Sequence, residues 1–406
     1  MARHRLLLLA ALFFLCTSAS ACLNDRDSDS LATQAKGLPD VVNVITGRFE
    51  RNPPLFYEMR IQRVAGELAR TPEKLPLYDD IAVALDKVKR DDEAIAWMEK
   101  KRARLKSLNA KDPAVHEQWY RYYANTGTFY VHRWLRKGAD RNHMEPVKKA
   151  RDYIARAIEL KPNAHFGREK YQLMVMKWII DPYNHSGLQT DRQHRTLTLV
   201  EYMDNNLPEG SAGDAVTGLS GIIVLGNAWE SVDIFSALGR YLNSTADKIA
   251  LTRMADCRVK ELIDHGGISL NPDSEKGDEL YARLIESDLS AFDNGMSEQN
   301  KNTVDKVYQQ LRIDAGAWQK ERIDFMMPRL RASRHSDTDP HFWDGYHERP
   351  MPSIETPWYP HAQEARDAID NLERAVVAIF CVLLGGLIAI IRFFRRRRRA
   401  VEAESV

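Results

Sequence analysis

The sequence predicts an all-α protein built as a solenoid of helical hairpins. Three observations lead to this prediction. The stretch Leu77 to Lys101 has the pattern of a helix, a tight turn and a second helix; comparable apolar-periodic segments recur along the chain; and no alternating apolar and polar run is long enough for a sheet. Because neither short helix of a pair buries its apolar face alone, each hairpin needs neighbouring hairpins.

The stretch Leu77 to Lys101 defines the predicted unit. Its first helix carries one apolar stripe at helical spacing, and its second restarts that stripe after the turn Lys89-Arg90-Asp91. Small residues at Ala84 and Ala94 allow the two helices to approach closely. The stripe residues are Ile81, Ala84, Leu85 and Val88, followed by Ala94, Ile95, Trp97 and Met98.

The remaining helices follow from the same periodicity and from Pro or Gly at their ends. A helix over residues 55–68 ends at Arg70-Thr71-Pro72, and a long aromatic helix, with a break near Thr126 to Thr128 left open, follows Asp112-Pro113. Segments rich in small residues after Gly213 predict a second clear hairpin. The predicted helices are 116–138, 147–160, 164–180, 216–225, 229–242, 247–265, 278–292 and 303–332.

Two segments resemble known repeats. Tyr78, Ile81, Ala84 and Leu85, with Glu93-Ala94-Ile95 opening the next helix, resemble a tetratricopeptide repeat. The ending Ala157 to Asn163, AIELKPN, is similar to that family's second helix, which closes on a proline. The chain departs from the family at Lys89, where glycine is usual. The resemblance implies a TPR-like solenoid over residues 41–332 whose groove binds a protein or peptide partner.

The two ends of the chain predict its topology. Arg3 and Arg5, an apolar run and Ala19-Ser20-Ala21 have the pattern of a signal peptide over residues 1–21, with an uncleaved N-terminal anchor as the alternative. Cys22 resembles the acylated cysteine of bacterial lipoproteins, although Ala19 stands where that family has Leu; plain cleavage before Cys22 is the alternative. Residues 22–40 are polar and predict a flexible tether.

The C-terminal end predicts one membrane span. The apolar run Ala375 to Ile391, with Phe393 and Phe394, reaches the ~20 residues that a span over 375–394 requires. The basic tail 395–406 places the C-terminus in the cytoplasm and the rest of the mature chain outside. We expect a bacterial inner membrane, with a eukaryotic type I protein as the alternative. Residues 333–374 predict a juxtamembrane linker and a short helix.

Charge argues against a nucleic-acid partner. The net charge is +1, but without the arginines of residues 3–5 and the charged residues of 392–404, 50 Lys or Arg remain against 55 Asp or Glu. The central part is therefore acidic, which disfavours binding to phosphate backbones.

No GxSxG, HExxH, P-loop or GxGxxG motif occurs, so we expect no catalysis, cofactor or resident metal. The expected partner-binding residues are aromatic: more rings lie on the long helix than one buried stripe can use, and core packing is the alternative. They are Trp119, Tyr120, Tyr122, Tyr123 and Tyr130. The alternative function is a membrane-anchored metal-binding protein or enzyme using the His335 to His361 segment. Cys257 is expected to be a packed thiol.

Overall fold

A computed structural model describes residues 24–27, 40–162, 164–183, 196–242, 249–286 and 296–352. These residues form thirteen α-helices and no strand, so the predicted all-α class is confirmed for this part of the chain. The helices are α1 (Val41–Thr46), α2 (Pro54–Arg70), α3 (Leu75–Lys87), α4 (Asp91–Leu105), α5 (Pro113–Arg136), α6 (Glu145–Leu160), α7 (Arg168–Ile180), α8 (Leu199–Asn206), α9 (Ala212–Leu225), α10 (Val232–Leu242), α11 (Ile249–Asp264), α12 (Gly277–Tyr281) and α13 (Glu298–Arg331).

Helices α3 and α4 form the hairpin predicted around Lys89. Most of the predicted stripe is buried on both helices, and Ile81, Ala84 and Ala94 are fully inaccessible to solvent. Val88 and Trp97 are partly buried. Lys89 closes the turn with a φ of 64°, the left-handed conformation that glycine adopts without strain. Lys89, which stands where tetratricopeptide repeats usually have glycine, therefore occupies a position whose backbone conformation favours glycine.

Helices α5 and α6 pack along most of their length. Helix α5 runs unbroken through Thr126 and Thr128, near which the sequence allowed a break. The hydroxyls of these threonines donate to the carbonyls of Tyr122 and Ala124 at 2.6 and 2.9 Å. Gly127 faces α6: a Cβ there would lie 2.8 Å from Cγ1 of Ile154. Glycine is needed for this close approach.

Each helix from α2 to α7 packs on the next one along the chain, and α3 also contacts α5. Helices α9, α10 and α11 continue this order, with α9 packed on α7. Helix α1 contacts α9, α11 and α13, so the first helix of the described chain meets the last. One large core joins residues of α2 to α7 to Met326, Leu330 and Phe342 near the C-terminal side.

The structure differs from the predicted flexible tether over residues 22–40 where it describes it. Asn24 and Asp25 are 1% and 4% exposed, and Arg26 and Asp27 form ion pairs with α3 and α2. In the sequence, alternating charges suggest a solvent-exposed segment. In the structure, Arg26 pairs with Asp80 and Asp27 pairs with Arg60.

Residues 333–351 of the predicted linker also belong to the fold. Phe342 is fully buried, and the Trp343 ring stacks on Phe325 of α13 with centroids 5.8 Å apart. This segment has no helical periodicity because it packs as a series of turns. Aromatic burial nevertheless ties it to the helices.

None of the helices in the described ranges is long and apolar enough to cross a membrane. The predicted signal peptide 1–21, Cys22, the span 375–394 and the tail 395–406 all lie outside the described residues.

Candidate functional site

The aromatic residues expected to bind a partner lie mainly in packing between α5 and α6. Tyr120, Tyr122 and Tyr130 are buried, and the Tyr120 hydroxyl donates to Glu169 at 2.8 Å. The Tyr153 ring of α6 lies 5.9 Å from that of Tyr122 and 5.8 Å from that of Tyr130. Core packing, the alternative that the sequence left open, describes these three rings.

Trp119 and Tyr123 are half-buried and stack on each other, with ring centroids 5.7 Å apart. Tyr123 also approaches Tyr153 at 5.8 Å. Both rings pack against aromatic neighbours and remain partly exposed.

The described part of the histidine segment makes one hydrogen bond to α2 and several within itself. The buried His335 bonds through Nε2 to the carbonyl of Phe56 at 3.0 Å, while its Nδ1 accepts from the amide of Asp337. His341 pairs with Asp344 at the surface, and His347 is exposed. Over the ranges that the structure describes, no three His, Cys, Asp or Glu side chains converge as metal ligands; His361 lies outside those ranges.

Cys257 is half-buried against Asp305, whose Oδ1 lies 3.2 Å from the sulfur. Burial and the neighbouring Asp305 carboxylate raise the pKa of the thiol above its usual range. The thiolate is therefore disfavoured, as expected for a packed cysteine.

A buried polar cluster, which the sequence did not predict, surrounds residues 24–27. We define it by Arg60 of α2, Asp79 and Asp80 of α3, Asn125 of α5, and Asp337 after α13. The exposed fraction of each of these side chains is between 0 and 5%. Three helices and the segment after α13 thus bring their polar groups to one place.

Asn125 pairs with the main chain of Asn24. Its Oδ1 accepts from the Asn24 amide at 2.9 Å, and its Nδ2 donates to the Asn24 carbonyl at 3.2 Å. The same Nδ2 donates to Asp79 at 3.0 Å, which fixes the orientation of the side-chain amide. The Asn125 amide therefore binds the peptide backbone of Asn24, while Asp79 of α3 fixes its orientation.

Asp80 makes three contacts with Arg26. Its Oδ1 accepts from the main-chain amide at 2.9 Å, and its Oδ2 accepts from Nε and Nη2 of the guanidinium at 2.9 and 2.7 Å. One carboxylate thus recognises both the backbone and the positive charge of the residue.

Arg60, fully buried, binds two carboxylates. Nη1 and Nη2 donate to Asp27 at 2.7 Å each, while Nε and Nη2 donate to Asp337 at 2.8 and 2.7 Å. Arg63 donates to Asp337 as well. Paired bonds of this kind use the planar guanidinium fork, which a lysine cannot reproduce.

Asp79 and Lys101 lie behind Asn125 as a fully buried pair, with Nζ and Oδ2 2.5 Å apart. Burial raises the pKa of Asp79 to about 6, against the opposing effect of Lys101. Burial likewise lowers the pKa of Lys101. The low-polarity surroundings that weaken both charges also strengthen each hydrogen bond of the cluster.

The sequence contained two signals of this cluster. Asp79-Asp80 and Asn125 interrupt otherwise apolar helix faces, and Asp25-Arg26-Asp27 alternates in charge. Neither signal identifies its partner, because the paired residues are far apart in the chain.

Comparison with protein-family models, curated proteins and solved structures finds no match for this chain.

Proposed function

We propose that this chain is a membrane-held, non-catalytic helical scaffold that binds a protein or peptide partner outside the cytoplasm. In this proposal a signal peptide is removed after Ala21, Cys22 is a candidate for acylation, and residues 375–394 span the bilayer with the arginine tail inside. The sequential packing of α3 to α7 supports a TPR-like solenoid.

The observation that carries the proposal is the pairing of Asn125 with both main-chain groups of Asn24. A side-chain amide that binds an amide and a carbonyl of the same residue recognises peptide irrespective of its side chain. The helices thus offer chemistry suited to binding a peptide segment.

Arg63, which donates to Asp337 of the polar cluster, also lines a surface depression. A depression between α2 and the end of α13 is lined by Leu55, Met59, Gln62, Arg63, Leu330, Arg331 and Ser333. It combines apolar side chains with arginines, a composition common at protein interfaces. The exposed Gln62 is therefore a suitable position for a photo-crosslinking residue.

The test is in-cell crosslinking of the full-length chain, followed by purification from detergent-solubilised membranes. A crosslinker at Gln62 is expected to trap a stoichiometric partner, whereas one at Glu159 of α6, 60% exposed, is the matched control and is expected to trap none. No adduct at either position, or equal adducts at both, would contradict the proposal. Separately, a reporter fused after Val406 must be active only in the cytoplasm.

A further inference from the structure

We propose that the polar cluster is a binding site for peptides with an acidic, a basic and an acidic residue in succession, and that residues 24–27 fill it as an internal ligand. This inference rests on the proposed function and specifies its ligand class. The internal segment has the sequence Asn24-Asp25-Arg26-Asp27.

The first step is main-chain recognition. Asn125 binds the amide and carbonyl of Asn24, and Asp80 accepts from the amide of Arg26. These bonds depend on no side chain of the bound segment. A different peptide with the same backbone course forms all three.

The second step is charge recognition. Asp80 binds the Arg26 guanidinium with two further bonds, and Arg60 binds Asp27 with two. Asp25 lies 3.6 Å from the Arg60 guanidinium. The site therefore presents one negative and one positive group, and it selects a ligand whose charges alternate in the complementary order.

The third step is preorganisation. On the protein side, Asp337 already binds Arg60, and Asp79 already binds Asn125 and Lys101. These bonds do not involve residues 24–27, so they persist when the segment leaves. When a site keeps its geometry, exchanging one peptide for another requires little free energy for reordering the site.

The fourth step is the imperfect fit of the internal ligand. Asn24 is 1% exposed, yet its side-chain Oδ1 and Nδ2 have no hydrogen-bond partner among the described residues. Burying an amide without hydrogen-bond partners is unfavourable. A peptide with a small apolar residue at this position avoids that cost and competes with the internal segment.

The test measures binding of a fluorescent peptide of residues 23–30 to the full-length chain in detergent. The internal segment has an effective concentration of ~mM, so we expect weak binding to the natural chain. A chain with Arg26→Gln and Asp27→Asn weakens the internal ligand and is expected to bind the peptide at least about tenfold more tightly.

The site variant is Asp80→Asn in that weakened background. The described hydrogen bonds of the Asp80 carboxylate all go to Arg26. The substitution therefore removes recognition of the ligand and leaves the hydrogen bonds among the other cluster residues in place. We expect it to abolish the tenfold gain. The matched control is Glu145→Gln on α6, 81% exposed, which is expected to preserve the gain.

Two peptide variants test specificity. A peptide with Asp25→Lys, Arg26→Glu and Asp27→Lys reverses every charge and is expected not to bind. A peptide with Asn24→Ala is expected to bind the weakened chain about fivefold more tightly, because no unpaired amide is buried. Equal binding of all peptides, or a gain that survives Asp80→Asn, would overturn the proposal.

Occupancy by the internal segment is measured without any added peptide. Trypsin cleavage after Arg26 is expected to be slower in the natural chain than in the single variant Asp80→Asn. Equal rates would refute the internal ligand. A chain that captures a partner through Gln62 in membranes but ignores every peptide would overturn this inference alone and leave the proposed function standing.

Discussion

The Arg60 guanidinium of α2 donates from Nε and Nη2 to the carboxylate of Asp337, at 2.8 and 2.7 Å, across 277 residues of sequence. This pair joins the start of the helical array to the segment that follows its last helix. Both side chains are at most 4% exposed. The C-terminal side of the described chain is therefore held to α2 by a buried ion pair as well as by apolar packing.

Removing Asp337 is expected to destabilise the protein strongly. Asp337→Ala leaves Arg60 and Arg63 without this acceptor, and breaking a buried pair costs about 3–5 kcal/mol. Denaturant unfolding of the full-length chain in a mild detergent measures the loss. Asp344→Ala is the control: its side chain is 72% exposed and pairs with His341 at the surface, so a change below about 1 kcal/mol is expected.

Asp233 of α10 is expected to make stability fall as the pH rises. It is 2% exposed, accepts from the Ser269 hydroxyl at 2.6 Å and the Leu270 amide at 2.9 Å, and burial raises its pKa from 3.8 to about 6. Between these two values the folded state holds a proton that the unfolded state has lost. Stability due to this group therefore decreases from pH ~4 to pH ~6 and is constant above.

Asp233→Asn is expected to remove this decrease. An asparagine keeps an acceptor for the Leu270 amide and gains a donor for the Ser269 hydroxyl, but it carries no charge. Relative to the natural protein, the variant should gain about 1–3 kcal/mol of unfolding free energy between pH 4.5 and pH 7.5. Asp278→Asn, 93% exposed, should show no such gain. A pH-independent difference for Asp233→Asn would contradict the prediction.

Replacing Lys89 with glycine is expected to stabilise the α3–α4 hairpin. The φ of 64° strains a lysine but not a glycine, so Lys89→Gly should raise the unfolding free energy by roughly 0.5–1 kcal/mol. Lys106, which also follows a helix, has helical φ and ψ of −62° and −24°. Lys106→Gly should therefore destabilise slightly, and a gain from both variants would rule out this explanation.

Two glycine-to-alanine changes are expected to have opposite signs. At Gly127 an added Cβ meets Ile154 at 2.8 Å and the Ala150 carbonyl oxygen at 3.0 Å, so Gly127→Ala should cost about 1–3 kcal/mol. At Gly316 of α13 no atom lies within 4 Å, so Gly316→Ala should gain about 0.5–1 kcal/mol from helix propensity. Thermal or chemical unfolding compares them directly. Destabilisation by both changes would refute the steric account of Gly127.

Helix positions followed closely from sequence, as α3 and α13 show. Helix α3 was expected from residue 77 and begins at Leu75, because apolar periodicity is a local property. Helix α13 was expected from residue 303 but begins at Glu298, where the Ser297 hydroxyl accepts from the Asn300 amide. Its first turn is polar, so periodicity missed it, although a serine cap was present in the sequence.

The aromatic residues show how a neighbouring helix changes the burial expected from one helix alone. The number of rings on α5 suggested an exposed set, but Tyr153 of α6 supplies a second aromatic surface that buries Tyr122 and Tyr130. Counting rings on one helix cannot reveal how many a neighbouring helix will cover. The polar sequence of residues 24–27 predicted a flexible tether, whereas Asn24 and Asp25 are buried in the structure.

The sequence by itself determined the helical class and the position of the α3–α4 hairpin, because helix formation depends on residues three and four positions apart. Only the tertiary structure decided that Asn125 meets Asn24 and that Arg60 meets Asp27 and Asp337. Those contacts join residues separated by up to 277 positions. Their physical basis is burial: a charge or amide removed from water must find its partner wherever the packed helices place it.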